Sequence, residues 1–346
     1  MTYQIPVVDL AAVLGDRAPG GALDAVRDAI EQFGVVQAVE HGVDLGLIEE
    51  FGRQAADPLS RPRAEKAKLA SPTGHPHRGW RQWPDDFGRL ELERFNVAQF
   101  DNPEDARAAG IPEEYLSLFA HPNVWPADPA LREATFRYIE ACRGLAERML
   151  GLYARAAGVP ADTFPFGSLP HLRLTVNDYP TWTYPDDADE PQSDEDKLLL
   201  LEHADDSAVT VLSQTGDYEG LQVQMPDGHW QPVPIIPGAL QVFSGVMLTR
   251  WSNGRLRPGR HRVVAGGTVT RRSTAVFCYP SLETVVRPLA PFAGPDDAAE
   301  EPVLVWDHVR RRAEDYMEEY GRPDQVAAWR EGRPYVASLA ETSAGR

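Results

Sequence analysis

The spacing of apolar positions changes twice along the chain. At the amino-terminal end short signals alternate: IPVVDL (5–10) is a brief extended run, LDAVRDAIEQFG (23–34) has helical apolar spacing and stops at Gly34, and VVQAVEHGV (35–43) is again a strand ending in a turn. Between 130 and 158 the pattern becomes fully helical. Leu131, Phe136, Ile139, Leu145, Met149, Leu152 and Tyr153 approximate one face, and Gly158-Val159-Pro160 ends it, so the pattern predicts a long scaffold helix. From about Leu172 to Pro280 the segments are short, β-rich and broken by Gly or Pro: HLRLTVNDYP, SAVTVLSQ, GLQVQM, GALQVFSGVML, RHRVVAGG and RRSTAVFCYP. Leu221, Val223 and Met225 alternate with Gln222 and Gln224, the pattern of a half-buried strand. Many short antiparallel strands separated by turns predict a mainly β protein with flanking helices around a double-stranded β-helix, or jelly-roll, core. DHVRRRAEDYMEEYG (307–321) and PDQVAAWREG (323–332) read as helices that close the structure.

The expected organisation is one domain over 1–346: an amino-terminal α/β segment (1–125), the scaffold helix (126–165), a jelly-roll catalytic core (166–290) and carboxy-terminal helices (291–346). Hydrophobic residues at 42% and charged residues at 25% are ordinary for a folded globular chain. No apolar run approaches the ~20 residues of a membrane span, and the amino terminus lacks a basic region followed by an apolar block, so a cytoplasmic protein is expected. A net charge of -18 argues against nucleic acid and against membrane surfaces as partners. The acidic stretch PDDADEPQSDEDK (185–197) reads as a solvated loop. Cys142 and Cys278 are too few for a disulfide framework or a cysteine-built metal site and read as buried apolar residues.

Candidate chemistry begins at LEHADDSAVTVLSQ (201–214). A His-x-Asp triplet arises by chance about once in a chain of this composition, so His203 and Asp205 matter only with a second histidine in the right place. Residues i and i+2 of an extended segment share a face, and His261 opens a later β-rich run, RHRVVAGG. Two histidines and one carboxylate on one side of Fe(II) leave positions open for other ligands and O2, which suits non-haem iron oxygenases. In the next predicted strand Arg271 and Ser273 form another i, i+2 pair. A buried arginine needs a partner, and 2-oxoglutarate supplies one: with Fe(II), one Asp and one Arg the dianion brings the site to neutrality.

In order, N-x-Y (Asn177, Tyr179), H-x-D-x-x-x-x-T (His203 to Thr210), GLQV, W-x-P-V-x-x-x-PGAL, RWSNG, HRV and R-x-S resemble the isopenicillin N synthase-like family of 2-oxoglutarate and Fe(II)-dependent dioxygenases. IPVVDL and FGVVQAVEHGV look like that family's amino-terminal segment. The resemblance implies that His203, Asp205 and His261 ligate iron, that Arg271 and Ser273 hold the distal carboxylate of 2-oxoglutarate, and that Asn177 and Tyr179 lie near its metal-chelating end. The chain departs from the pattern at Val246, in Gly245-Val246-Met247-Leu248 where many members have G-D-M-L, and at Glu40, in place of the Asn of N-H-G.

In SPTGHPHRGWRQWPDDFGRLELERF (71–95), Arg78, Trp80, Trp83 and Arg94 make an aromatic and cationic group, and the family's RG-aromatic region contributes to the substrate pocket. Arg78, Trp80 and Arg94 are therefore candidate substrate residues, with Arg78 expected to bind an acidic group. His41 reads as structural, and His75, His77, His121, His171, His229 and His308 receive no role. The resulting expectation is oxidation of an unactivated C–H bond of a small molecule with Fe(II), 2-oxoglutarate and O2: hydroxylation by default, desaturation or ring formation as variants of the same site. Three alternatives stay open at this point: an Fe(II) oxidase of the same fold without 2-oxoglutarate, a non-catalytic small-molecule binder, and a zinc hydrolase. An Ala-, Arg- and Gly-rich composition is associated with GC-rich bacteria, where such enzymes often tailor natural products such as antibiotics.

Overall fold

A computed structural model describes residues 4–15, 20–84, 91–179, 198–266, 270–294, 301–320 and 323–332. The acidic stretch 185–197 and the side chain of Trp83 lie outside the described residues. The amino-terminal part contains β1 (Val7–Asp9), α1 (Leu10–Leu14), α2 (Ala22–Gln32), β2 (Val35–Val39), α3 (Leu45–Leu59), α4 (Arg63–Lys66), β3 (Gly79–Pro84), β4 (Glu91–Ala98) and α5 (Pro103–Ala108). After α6 (Ala130–Ala156) come β5 (Pro170–Tyr179), β6 (Leu198–His203), β7 (Val209–Thr215), β8 (Leu221–Gln224), β9 (Trp230–Pro232) and β10 (Leu240–Ser244). The chain continues through α7 (Val246–Trp251), β11 (His261–Val264), β12 (Arg271–Ser281), β13 (Val285–Val286), β14 (Val303–Leu304), α8 (Val305–Tyr320) and α9 (Pro323–Arg330).

Eight strands form the large sheet, in the order β1-β2-β10-β7-β12-β5-β4-β3, and β6-β11-β8-β9 form a second sheet. Strands of the amino-terminal segment occupy both edges of the large sheet, so that segment is built into the same layer as the central strands. Every pairing in these two sheets is antiparallel except β1 with β2. This is the expected double-stranded β-helix with flanking helices.

Local sequence accounts for the element ends. Asp9 and Asp44 cap α1 and α3 by accepting from Ala12 N at 2.9 Å and Gly46 N at 2.8 Å. Gly34 turns the chain from α2 into β2 at φ 72°, where a Cβ would lie 2.4 Å from the Arg257 carbonyl oxygen. The long α6 packs on the large sheet and on α2 and α3, and it buries more than the single face its spacing suggests, including Ala134, Tyr138, Cys142, Ala146 and Ala154. Tyr138 shows why: it stacks on Phe51 of α3 at 4.6 Å while its hydroxyl meets Ser213 Oγ of β7 at 3.4 Å.

Alternation along β5 and β12 determines what faces the space between the sheets. Leu174, Val176, Val276 and Cys278 are buried, whereas Arg173, Thr175, Asn177 and Tyr179 of β5 line a cavity together with Arg271, Ser273, Ala275 and Phe277 of β12. One strand departs from its expected pattern. Gln222 of β8 is buried rather than exposed, because Arg262 donates to its Oε1 at 2.8 Å and itself lies over the Trp230 ring.

Candidate active site

His203 ends β6 and His261 opens β11, and the antiparallel register sets these two residues directly opposite each other. Their rings are 4.3 Å apart. Asp205 lies beyond the end of β6, in the segment leading to β7, and its Oδ1 is 3.8 Å from His203 Nε2. One ligand atom from each of His203, Asp205 and His261 falls within 4.8 Å of the other two, the one such group among the described residues. Both histidines donate Nδ1–H to a backbone carbonyl, His203 to Leu201 at 2.8 Å and His261 to Gly259 at 2.9 Å. That fixes the tautomer and leaves each Nε2 with a bare lone pair, as a metal requires. Burial, reinforced by the neighbouring His261, lowers the His203 pKa to about 4, so its imidazole is neutral at physiological pH. Phe243 packs against His261 at 4.6 Å between ring centres. The donor set, two imidazoles and one buried aspartate side chain, fits a divalent first-row metal.

A cavity of about 180 Å³ reaches from this cluster to β5, β12 and α8. Arg271 enters it fully buried, with only Nη2 engaged, donating to Gln214 Oε1 at 3.0 Å. Its Nε and Nη1 have no hydrogen-bond partner. Leaving a guanidinium buried in this way is costly, and a carboxylate placed against it removes the cost, so the residues present fit a dicarboxylate. Ser273 lies two positions on, its Oγ accepting from Asn177 Nδ2 at 3.4 Å. The Tyr179 ring lies under the Arg271 guanidinium at 4.9 Å. β5 and β12 pair Tyr179 directly with Arg271, and both line the cavity that holds the His203, Asp205 and His261 cluster.

The three candidate substrate residues separate. Arg94 reaches the cavity, where its Nε donates to Asn177 Oδ1 at 3.0 Å and its Nη1 to the Tyr316 hydroxyl. Arg78 does not line this cavity. Its guanidinium donates to the carbonyls of His121, His77 and Leu118 at 2.9, 2.8 and 3.0 Å, which spends it on holding loops together. Trp80 is buried outside the cavity with Nε1 donating to Glu93 Oε2 at 3.1 Å, and Glu93 also pairs with Lys66. Of the three residues expected at the substrate, only Arg94 thus lines this cavity.

Sequence spacing predicts no role for Arg173, Asp206, Arg312 and Tyr316, which line the cavity, the last two from α8, nor for Gln214, which accepts from Arg271 behind it. Arg173 shares the i, i+2 alternation that runs through Asn177, and Arg312 and Tyr316 stand one helical turn apart, so their periodicities were available as signals. His77 and His308 had been given no role. His77 lines the cavity, and His308 pairs with Asp206 at 3.0 Å. Asp206 also accepts from the Tyr279 hydroxyl at 2.6 Å and Arg312 Nε at 2.7 Å. Against the effect of burial, the His308 hydrogen bond and the charges of Arg312 and Arg173 hold its carboxyl well below the usual range. The two departures from the family pattern also find places. Val246 presents its N–H to the Asp205 carbonyl at 2.8 Å with its side chain partly exposed. Glu40 is exposed in the left-handed region at φ 46°, a conformation that Asn adopts more readily.

Comparison with known proteins supports the fold and the family. The 2OG-Fe(II) oxygenase superfamily profile matches residues 172–280, and that of the non-haem dioxygenase in morphine synthesis N-terminal region matches residues 5–128. Flavonol synthase/flavanone 3-hydroxylase of Arabidopsis thaliana is 28% identical over 304 residues, 86% of this chain and 82% of that protein. The 2-oxoglutarate-dependent dioxygenase 19 of Oryza sativa subsp. japonica is 29% identical over 323 residues, 91% of this chain and 85% of that protein. The dioxygenase for auxin oxidation 1 of Arabidopsis thaliana, solved as a complex with 2-oxoglutarate, shares the fold with a TM-score of 0.64 at 24% identity, covering 85% of this chain and 99% of that one. Two family profiles match successive parts of a single chain whose fold and whose His-Asp-His cluster agree with them: the chain belongs to the 2OG-Fe(II) oxygenase superfamily.

Proposed function

We propose that the protein oxidises an unactivated C–H bond of a small molecule, with Fe(II), 2-oxoglutarate and O2, hydroxylation being the default outcome. His203 and His261 would hold the metal through Nε2 and Asp205 through its carboxylate. Arg271 and Ser273 would hold the distal carboxylate of 2-oxoglutarate, with the Tyr179 ring supporting the Arg271 guanidinium and Asn177, fixed by Arg94, beside Ser273. When bound, iron and 2-oxoglutarate would supply the oxidising power drawn from O2, with succinate and CO2 as co-products. The protein contributes orientation and the exclusion of bulk water, which its buried Arg271 and Asp205 reflect.

Several observations support a small-molecule substrate and a cytoplasmic setting. Relatives are named for flavonols and flavanones, and one fold neighbour, from Neurospora crassa, was solved with thymine. The net charge of -18 is unsuited to nucleic acid or an anionic membrane surface. No helix among the described residues is long and apolar enough to cross a membrane, and both cysteines are free and buried. A role in tailoring natural products is part of the same proposal.

The observation that carries the reading is the buried, under-partnered Arg271 in the cavity of the metal cluster. Calorimetry tests it: Arg271→Gln should weaken 2-oxoglutarate binding by about 100-fold, in line with the loss of one partner of a buried charge pair. Fe(II) binding should be unchanged. Equal 2-oxoglutarate affinity in the variant and the wild type would overturn the assignment.

A further inference from the structure

We infer that Arg173 anchors a carboxylate of the substrate, so that the substrate is a small organic acid; the inference rests on the oxygenase reading above and gives it a substrate class. Arg173 lines the same cavity as Arg271, but further along the sheet. In the β5–β12 register Arg271 faces Tyr179 and Phe277 faces Arg173, which at ~3.3 Å per residue separates the two arginines by roughly 20 Å of strand. One guanidinium thus stands at each end of the cavity wall, with Thr175 and Ala275 between them.

Arg173 is positioned, and although its charge acts on Asp206, no carboxylate lies in contact with it among the described residues. Its guanidinium lies over the Phe277 ring at 4.6 Å, which fixes its plane, while its buried Nε has no hydrogen-bond partner. It forms no ion pair among the described residues. The acid nearest in the lining, Asp206, is already engaged by Tyr279, His308 and Arg312. Two further buried nitrogens close to Arg173 lack partners, His77 Nε2 and His171 Nδ1, and both side chains line a small recess together with Arg173. Around the main cavity stand Arg94, Arg173, Arg271 and Arg312 against Asp205, Asp206 and a Glu202 that pairs with Arg260. Fe(II) and 2-oxoglutarate together add no net charge, so the excess of positive charge at the Arg173 end persists when they are bound. A planar fork stacked on an aromatic ring presents parallel N–H donors, which match a carboxylate bidentately. The apolar faces of Phe277 and Ala275 then adjoin the body of the acid.

The test uses the full-length protein, anaerobic, with Fe(II) and 2-oxoglutarate and also without them. Wild type, Arg173→Gln and Arg173→Lys are titrated calorimetrically with matched pairs of small aromatic and aliphatic carboxylic acids and their primary amides. The expected result is that at least one acid binds the wild type tenfold or more tightly than its amide. Arg173→Gln should abolish that preference and leave 2-oxoglutarate affinity intact, and Arg173→Lys should restore part of it. Failure of every acid to bind, equal binding of acid and amide, or an undiminished preference in Arg173→Gln would overturn the inference. If the wild type binds no 2-oxoglutarate yet keeps an Arg173-dependent preference for acids, the oxygenase reading falls and the anion site stands.

Discussion

His171 shows how far a single buried group is shaped by the cationic end of this cavity. It sits between Phe119 and Tyr279, and burial, followed by the charges of Arg78 and Arg173, lowers its pKa from 6.5 to about 3. Between those two values the unfolded chain binds a proton that the folded protein does not, so the contribution of His171 is present above pH 6.5 and is lost as the pH falls toward 3. His171→Phe, which suits the aromatic surroundings, should therefore lose less stability than wild type between pH 7 and pH 5.5, by up to ~1.4 kcal/mol per pH unit. Urea denaturation at the two pH values measures this, and equal losses would contradict it. Among the residues, those with a motif around them were legible: His203, Asp205, His261, Arg271 and Ser273 could be named from their spacing and order. That Arg78 and Trp80 lie outside this cavity was not legible, because spacing does not reveal that a backbone carbonyl or Glu93 claims a side chain's donors.

At the level of elements, the site depends on how the segment after β6 is held against the segment after β10. Gly245 donates to the Ala208 carbonyl at 2.9 Å, and a Cβ on Gly245 would lie 2.0 Å from the Ser207 carbonyl oxygen. Backbone meets backbone there, so Gly245→Ala must push the 204–208 segment that carries Asp205. We expect a loss of about 1–3 kcal/mol in stability, as overpacking typically costs, and Fe(II) affinity at least tenfold weaker by calorimetry. An Ala variant with wild-type iron affinity would show that Asp205 is held some other way. Alternation foretold that Arg271 and Ser273 of β12 share a face. It could not foretell that β11 pairs with β6 in the register that sets His261 opposite His203, since pairing between distant strands is decided by tertiary packing. Burial of Gln222 escaped for the same reason: its cover, Arg262 on Trp230, comes from two other strands.

At the scale of the whole molecule, an acidic protein of net charge -18 encloses a cavity lined by four arginines, among them two from the large sheet's central strands and one from the carboxy-terminal helix α8. Bulk charge told which partners to exclude and gave no hint of this local inversion, because charge on the surface and charge in the cavity are set independently. The long α6 and the helix pattern of α8 were legible, whereas the docking of α8 over the cavity through Arg312 and Tyr316 was not, for it depends on contacts with strands far away in sequence. The central claim is that one cavity assembles iron and 2-oxoglutarate from His203, Asp205, His261 and Arg271. Its most direct test is an anaerobic titration of metal-free protein with Fe(II) and then 2-oxoglutarate, following the weak visible charge-transfer band of the chelate. The account predicts the band in wild type, its loss in Asp205→Ala and its weakening in Arg271→Ala. Wild-type protein that binds iron without developing the band, or that binds no iron, would contradict it.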